Sequence, residues 1–98
     1  MKIRDIEPKV FDEPPGDPDP LTIFGEGFAP TSEVAVESPG IVWKVGPSKV
    51  SSDGTQIKLF IQAREGDPAA TFTLLTVTVR SDKTGSESVS AQFPFKWV

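Results

Sequence analysis

Two runs near the C-terminal end decide the fold: TFTLLTVTVR at residues 71–80 and VSAQFPFKWV at residues 89–98. In the first, Leu75, Val77 and Val79 alternate with Thr76 and Thr78. In the second, Val89, Ala91, Phe93, Phe95 and Trp97 alternate with Ser90, Gln92, Pro94 and Lys96. Successive side chains of a strand point to opposite faces, so each run has one apolar and one polar face. Between them, residues 82–87 form a polar turn around Gly85. The expectation is an antiparallel hairpin, dry on one side and wet on the other. Pro94 has no N–H for a ladder, so it belongs at an edge or where none is needed.

The same period continues upstream. Residues 49–63 read as a hairpin centred on Asp53-Gly54, with Ile57, Leu59, Ile61 and Ala63 on one face. Asp-Gly is a preferred pair for a tight primed turn, in which both central residues have positive φ. Ile41, Trp43 and Val45 form another alternating set, ended by Gly46-Pro47, and Val34 and Val36 point inward from EVAVE at 33–37. In LTIFGEGF at 21–28, Leu21 and Ile23 share a face, and Gly25 and Gly27 bracket Glu26. That pattern predicts a bulge or bend with backbone close to a neighbour, capped by Phe28. Residues 12–20, DEPPGDPDP, hold four prolines and four acids and read as a stiff turn, neither helix nor central strand. Residues 1–11 read as an edge strand interrupted by Pro8. No window carries apolar residues at helical spacing over three turns. The predicted fold is all-β, a two-sheet sandwich of about seven strands of the immunoglobulin-like kind, in a single domain of 98 residues.

Composition narrows the chemistry. Cys, His, Tyr and Asn are absent. No disulfide or thiolate site can form, and Ser-His-Asp and Cys-His catalysis cannot be built from this chain. The formal net charge is −4, so direct nucleic-acid binding is not expected without a compensating basic patch. The ten Lys and Arg residues stand singly, in no run and not interleaved with aromatics. No segment approaches the roughly 20 apolar residues of a membrane span. The opening MKIRDIEPKVF has no apolar core of a signal peptide, so a targeting signal is expected elsewhere in a longer chain.

Four sets of residues are candidates for a site, and each has a plainer structural reading. Asp12, Glu13, Asp17 and Asp19 form an acidic loop that could offer oxygens to Ca²⁺, although four prolines restrict their convergence. The plainer reading is a solvated turn that keeps an edge from pairing. Trp43 and Trp97 are candidate stacking platforms for a sugar ligand, but their alternation places both on apolar faces as core residues. Lys44, Lys49 and Lys58 are a candidate weak basic patch, read more plainly as solubility and edge protection. Ser51-Ser52-Asp53 and Ser86-Glu87-Ser88 place hydroxyls beside acids, with no histidine to activate them. No cofactor is implied.

Several short motifs together resemble the IPT/TIG family, the immunoglobulin-like domains shared by plexins and certain transcription factors. They are Ile6-Glu7-Pro8, then Leu21-Thr22-Ile23-x-Gly25-x-Gly27-Phe28, then Val34-Ala35-Val36 and Ser51-Ser52-Asp53-Gly54-Thr55-Gln56-Ile57. The closing Thr76-Val77-Thr78-Val79 and Phe93-Pro94-Phe95-Lys96-Trp97 fit the family's last hairpin. The chain departs from the pattern where Asp17-Pro18-Asp19-Pro20 replaces the usual Gly-Gly, and in a longer, more basic 38–63 region. The resemblance implies a non-catalytic structural or protein-interaction module, one unit of a multidomain surface or secreted protein. Its partner would be another protein or neighbouring domains of the same chain, met on a sheet face or an edge strand. Two other readings remain open: an accessory carbohydrate-binding domain of a polysaccharide-active enzyme, and a dimerisation domain of a DNA-associated protein.

Overall fold

The computed structural model describes residues 1–11, 18–39, 41–65, 72–82, 84 and 87–97. The hairpin expected near the C-terminus is its longest ladder. Strand β8 (Phe72–Arg80) pairs antiparallel with β9 (Ser88–Trp97) from Phe72↔Lys96 to Arg80↔Ser88, and the Ser81 amide closes the loop on the Glu87 carbonyl at 2.9 Å. The alternation in the sequence is the alternation in space. Leu75, Val77, Val79 and Phe95 are buried, while Ser90, Gln92 and Pro94 are exposed.

The remaining strands are β1 (Lys2–Glu7), β2 (Val10–Phe11), β3 (Asp19–Glu26), β4 (Glu33–Glu37), β5 (Val42–Val45), β6 (Lys49–Val50) and β7 (Gln56–Glu65). They complete two sheets. The first has the order β1-β3-β7-β5, with β6 also paired to β7, and the second has the order β2-β9-β8-β4. No helix occurs among the described residues. The inner faces meet in one core, to which the first sheet gives Ile6, Leu21, Ile23, Ile57, Leu59 and Ile61. The second gives Val36, Leu75, Val77, Val79 and Phe95. Each such side chain, fully buried, contributes about 1.5–3 kcal/mol relative to exposure. The all-β, two-layer, sandwich-like architecture therefore follows from the period-2 pattern.

Among the described residues nine strands stand where about seven were expected. Residues 1–11 are not one interrupted edge strand: Pro8 divides them, β1 edging the first sheet beside β3 and β2 edging the second beside β9. Gly46-Pro47 likewise divides β5 from β6 along one side of β7. Asp19 and Pro20 belong to β3 rather than to the preceding turn, paired with Ile61 and Phe60. Proline is tolerated there because β1 reaches β3 only at Thr22, leaving that flank of Pro20 without a strand. Pro94 is placed by the same rule, since β2 meets β9 only at Lys96 and Trp97.

The bend after β3 is where the two early glycines act. A Cβ on Gly25 would lie 1.9 Å from the Lys2 carbonyl oxygen and 2.6 Å from Phe28 Cζ. Only glycine lets β1 lie that close, and β1 bulges opposite it, between Ile3 and Asp5. The Gly25 amide donates to the Thr55 carbonyl and the Phe28 amide to the Gly54 carbonyl, at 2.9 and 3.1 Å. Phe28, 5% exposed, closes this end of the core. The bend and the 51–56 turn are thus bolted together.

Candidate functional site

The 51–56 turn keeps the register predicted for an Asp53-Gly54 hairpin, with Val50 opposite Ile57 and Lys49 opposite Lys58. Its conformation differs from a primed turn. Gly54 has φ of 70°, and no described non-glycine residue has positive φ, so Asp53 does not adopt the left-handed region. Side-chain bonding explains the difference. The Ser51 and Thr55 hydroxyls both donate to Asp53 Oδ1 at 2.7 Å, and the Thr55 amide donates to the same oxygen at 3.1 Å. The Gln56 amide donates to Ser51 Oγ at 3.0 Å, and the Gly54 amide to the Ser51 carbonyl at 3.0 Å. The loop is closed by its own hydroxyls and carboxylate, as Ser, Thr and Asp favour. These bonds, that from Ser51 foremost, hold the Asp53 carboxyl below the ordinary aspartate value. An acid held ionised by donors is a poor base, and here the Ser-Asp pairing serves as turn architecture.

The other expected sites are dispersed. Asp12, Glu13 and Asp17 lie outside the described residues, as does Ser86, while Asp19 begins β3, opposite Ile61. Among the described residues no three acids gather as a metal set would require. Trp43 is half-buried against the core, its ring edge-on to Phe95 with centroids 6.1 Å apart and its N–H donated to Ser38 Oγ at 3.1 Å. That is the core arrangement its alternation predicts. Trp97 is in β9 opposite Phe11, and its side chain lies outside the described residues.

What the structure does bring together is the candidate basic patch. Ile57, Leu59 and Ile61 of β7 point inward, so Gln56, Lys58, Phe60 and Gln62 point outward. Strand pairing then sets Lys49 directly opposite Lys58, Lys44 opposite Gln62, Pro20 opposite Phe60, and Phe24 opposite Gln56. All three lysines are exposed, and none has an ion-pair partner among the described residues. Phe60 is 56% exposed, the largest exposure among the described large apolar residues. Two shallow cavities lie along this face. One of about 220 Å³ has Lys49, Ser51, Gln56 and Lys58 in its wall, and one of about 240 Å³ is formed by Pro18, Lys44, Gly46, Pro47, Phe60 and Gln62.

Two acids of this face are matched toward its β1 edge, while Glu7, exposed and opposite Thr22, has no ion pair among the described residues. Asp5 binds Lys9 at 2.6 Å, which holds its carboxyl below the ordinary value, and Glu26 binds Arg4 at 2.9 Å. The lysines on β5, β6 and β7 have no ion-pair partner among the described residues. The linear sequence shows the cations standing singly, with Lys58 already two residues from Phe60, and folding adds Lys49 opposite Lys58 and Lys44 opposite Gln62. Two signals could have found this. Counting outward from Asp53-Gly54 pairs residue 49 with 58, and the inward set Ile57, Leu59, Ile61 forces Lys58 and Phe60 out. Comparison with family models, with curated proteins and with solved structures finds no match to this chain.

Proposed function

We propose that this chain is an immunoglobulin-like module of the IPT/TIG kind. Its role is non-catalytic, as a structural and protein-interaction unit of a multidomain surface or secreted protein. Its contact surface is the outer face of the first sheet. One observation carries the reading: a chain of net charge −4 holds, on one sheet face, an exposed phenyl ring and three lysines with no ion-pair partner among the described residues. Contact surfaces concentrate aromatic anchors beside charges that complement a partner. Support for the kind of fold comes from the Gly25-x-Gly27-Phe28 bend, which the structure uses as a close backbone approach, and from Ile6-Glu7-Pro8 at the first edge.

A face is favoured over strand addition because the edges are guarded. The bulge after Ile3 breaks β1, Gly46-Pro47 breaks the β5–β6 side, β2 has two residues, and Glu33 and Glu37 flank β4.

A photo-crosslinking residue placed at position 60, against one at position 92 on the opposite sheet, tests the reading in cells of the source. The expected outcome is a discrete protein adduct from position 60 and none from 92. Adducts from 92 alone, or from neither, would remove the first sheet's face as the contact surface.

A further inference from the structure

The chemistry of this face also defines what it holds. We infer that it takes an extended acidic peptide in which one large apolar side chain is flanked, two residues away on either side, by carboxylates. The inference rests on the reading of the first sheet's outer face as the contact surface.

Lys49 and Lys58 are Cα partners on adjacent strands, both exposed and neither paired with an acid among the described residues. Like charges directly opposite on a sheet repel each other. A carboxylate entering the cavity of about 220 Å³ walled by both lysines would relieve that repulsion and gain two charge-assisted hydrogen bonds.

The neighbouring cavity, of about 240 Å³, has a different lining. Pro18, Gly46, Pro47 and Phe60 present mainly carbon there. The Gly46 amide donates to the Phe60 carbonyl at 2.8 Å, and a Cβ at Gly46 would lie 3.3 Å from that oxygen, so glycine lets this loop lie close against Phe60. A leucine or phenylalanine side chain matches that lining.

Spacing joins the two cavities into one ligand. Lys58 and Phe60 are two residues apart on β7, roughly 6.6–7 Å along the strand, which is also the i to i+2 spacing of an extended peptide. Beyond Phe60, Lys44 stands opposite Gln62, again two residues on. The outward row therefore reads cation, apolar cavity, cation. Its complement is acid-x-apolar-x-acid.

Other anionic polymers match less well. A sugar ring on Phe60 would need hydrogen-bonding groups around its rim, whereas Pro20 stands on one side of Phe60 and Gly46-Pro47 on the other, leaving Lys44 and Gln62 as the polar side chains of the cavity's described wall. A polynucleotide would bring phosphates continuously along a chain of net charge −4, whose overall repulsion three lysines do not offset.

The test is fluorescence anisotropy with a labelled peptide containing Glu-Thr-Leu-Thr-Glu, together with amide chemical-shift mapping on the intact chain. Controls are the same peptide with Gln for Glu or Ala for Leu, an oligogalacturonate and an oligothymidylate. The expected result is saturable binding of the acidic peptide, with shifts centred on residues 44–49 and 56–62. Binding should weaken about tenfold for Lys49→Gln/Lys58→Gln, for Phe60→Ser and for either altered peptide, a tenfold step being a factor of ten in Kd. The altered peptides leave the protein untouched, so the result stands even if a variant folds poorly. Equal binding of the Gln peptide, shifts on the other sheet, no saturation, or binding of the oligogalacturonate or oligothymidylate in place of the peptide would each overturn the inference. A chain that crosslinks a protein through position 60 yet ignores the peptide would refute the peptide chemistry alone. A chain that does not crosslink there loses the surface itself.

Discussion

The two outer faces of the molecule belong to sheets that share one core and are finished in opposite ways. On the second sheet, Thr78 Oγ1 and Ser90 Oγ share a hydrogen bond at 2.8 Å, Gln92 Nε2 donates to Thr76 Oγ1 at 3.3 Å, and Glu33 stands opposite Arg80. The Thr78–Ser90 and Thr76–Gln92 pairs satisfy themselves and Glu33–Arg80 sets opposite charges across strands, while Leu74, opposite Pro94, is this face's exposed apolar side chain. On the first sheet, Lys49 stands opposite Lys58 and Pro20 opposite Phe60, pairs that neither bond nor neutralise each other. The core needs both inner faces alike but places no demand on the outer ones. A self-satisfied outer face has little left to offer a partner, whereas one that keeps unmatched charge beside an exposed ring is disposed toward one.

The strongest way to break the comparison is to remove the frame of the first face. Gly25→Ala puts a Cβ 1.9 Å from the Lys2 carbonyl oxygen, where only backbone can move. We expect a loss of about 3 kcal/mol or more, at the upper end of overpacking effects, measured by urea unfolding. Hydrogen exchange in that variant should lose protection in β1 and β3 while β8 and β9 keep theirs. Gly54→Ala is expected to cost less, about 1–2 kcal/mol from the positive φ alone, with the Phe28 carbonyl oxygen at 2.7 Å adding to it.

Acid should act on the first sheet through its turn. The Asp53 carboxyl is held low by Ser51 and Thr55, so its contribution to folding is complete above the ordinary aspartate value. That contribution fades as pH falls through the lowered folded-state value. Stability of the chain and of Asp53→Ala, compared by urea midpoints across pH, should differ at neutral pH and converge in acid. A constant difference would mean that the carboxylate's charge is not what closes the turn. The smallest effect is expected on the second face: Ser90→Ala should change stability by no more than about 0.5–1 kcal/mol and leave ligand binding as it was.

How much of this could be read from the chain differs by region. The β8–β9 hairpin was legible because ten residues of alternation leave one register that buries Leu75, Val77, Val79 and Phe95 together. The Gly25 bend was legible because glycine between strand residues signals close backbone approach. The division at Pro8 was not, since a missing N–H marks a break without saying that the chain then changes sheets. The form of the 51–56 turn was hidden because three side chains compete with the backbone preference of Asp-Gly. The site itself lay between these cases. Lys58 beside Phe60 and Lys49 opposite Lys58 follow from the alternation and the hairpin turn, but the arrival of Lys44 depends on β5 lying along β7, a pairing that local pattern does not give.

The central claim is that the first sheet's outer face carries its lysines at a cost to the fold. It is tested most directly by the unfolding free energy of Lys49→Glu, which sets opposite charges across β6 and β7. The account predicts a variant more stable than the parent by about 0.2–1 kcal/mol at low salt, a gain that shrinks as salt screens the pair. A variant of equal or lower stability, with no dependence on salt, would contradict it.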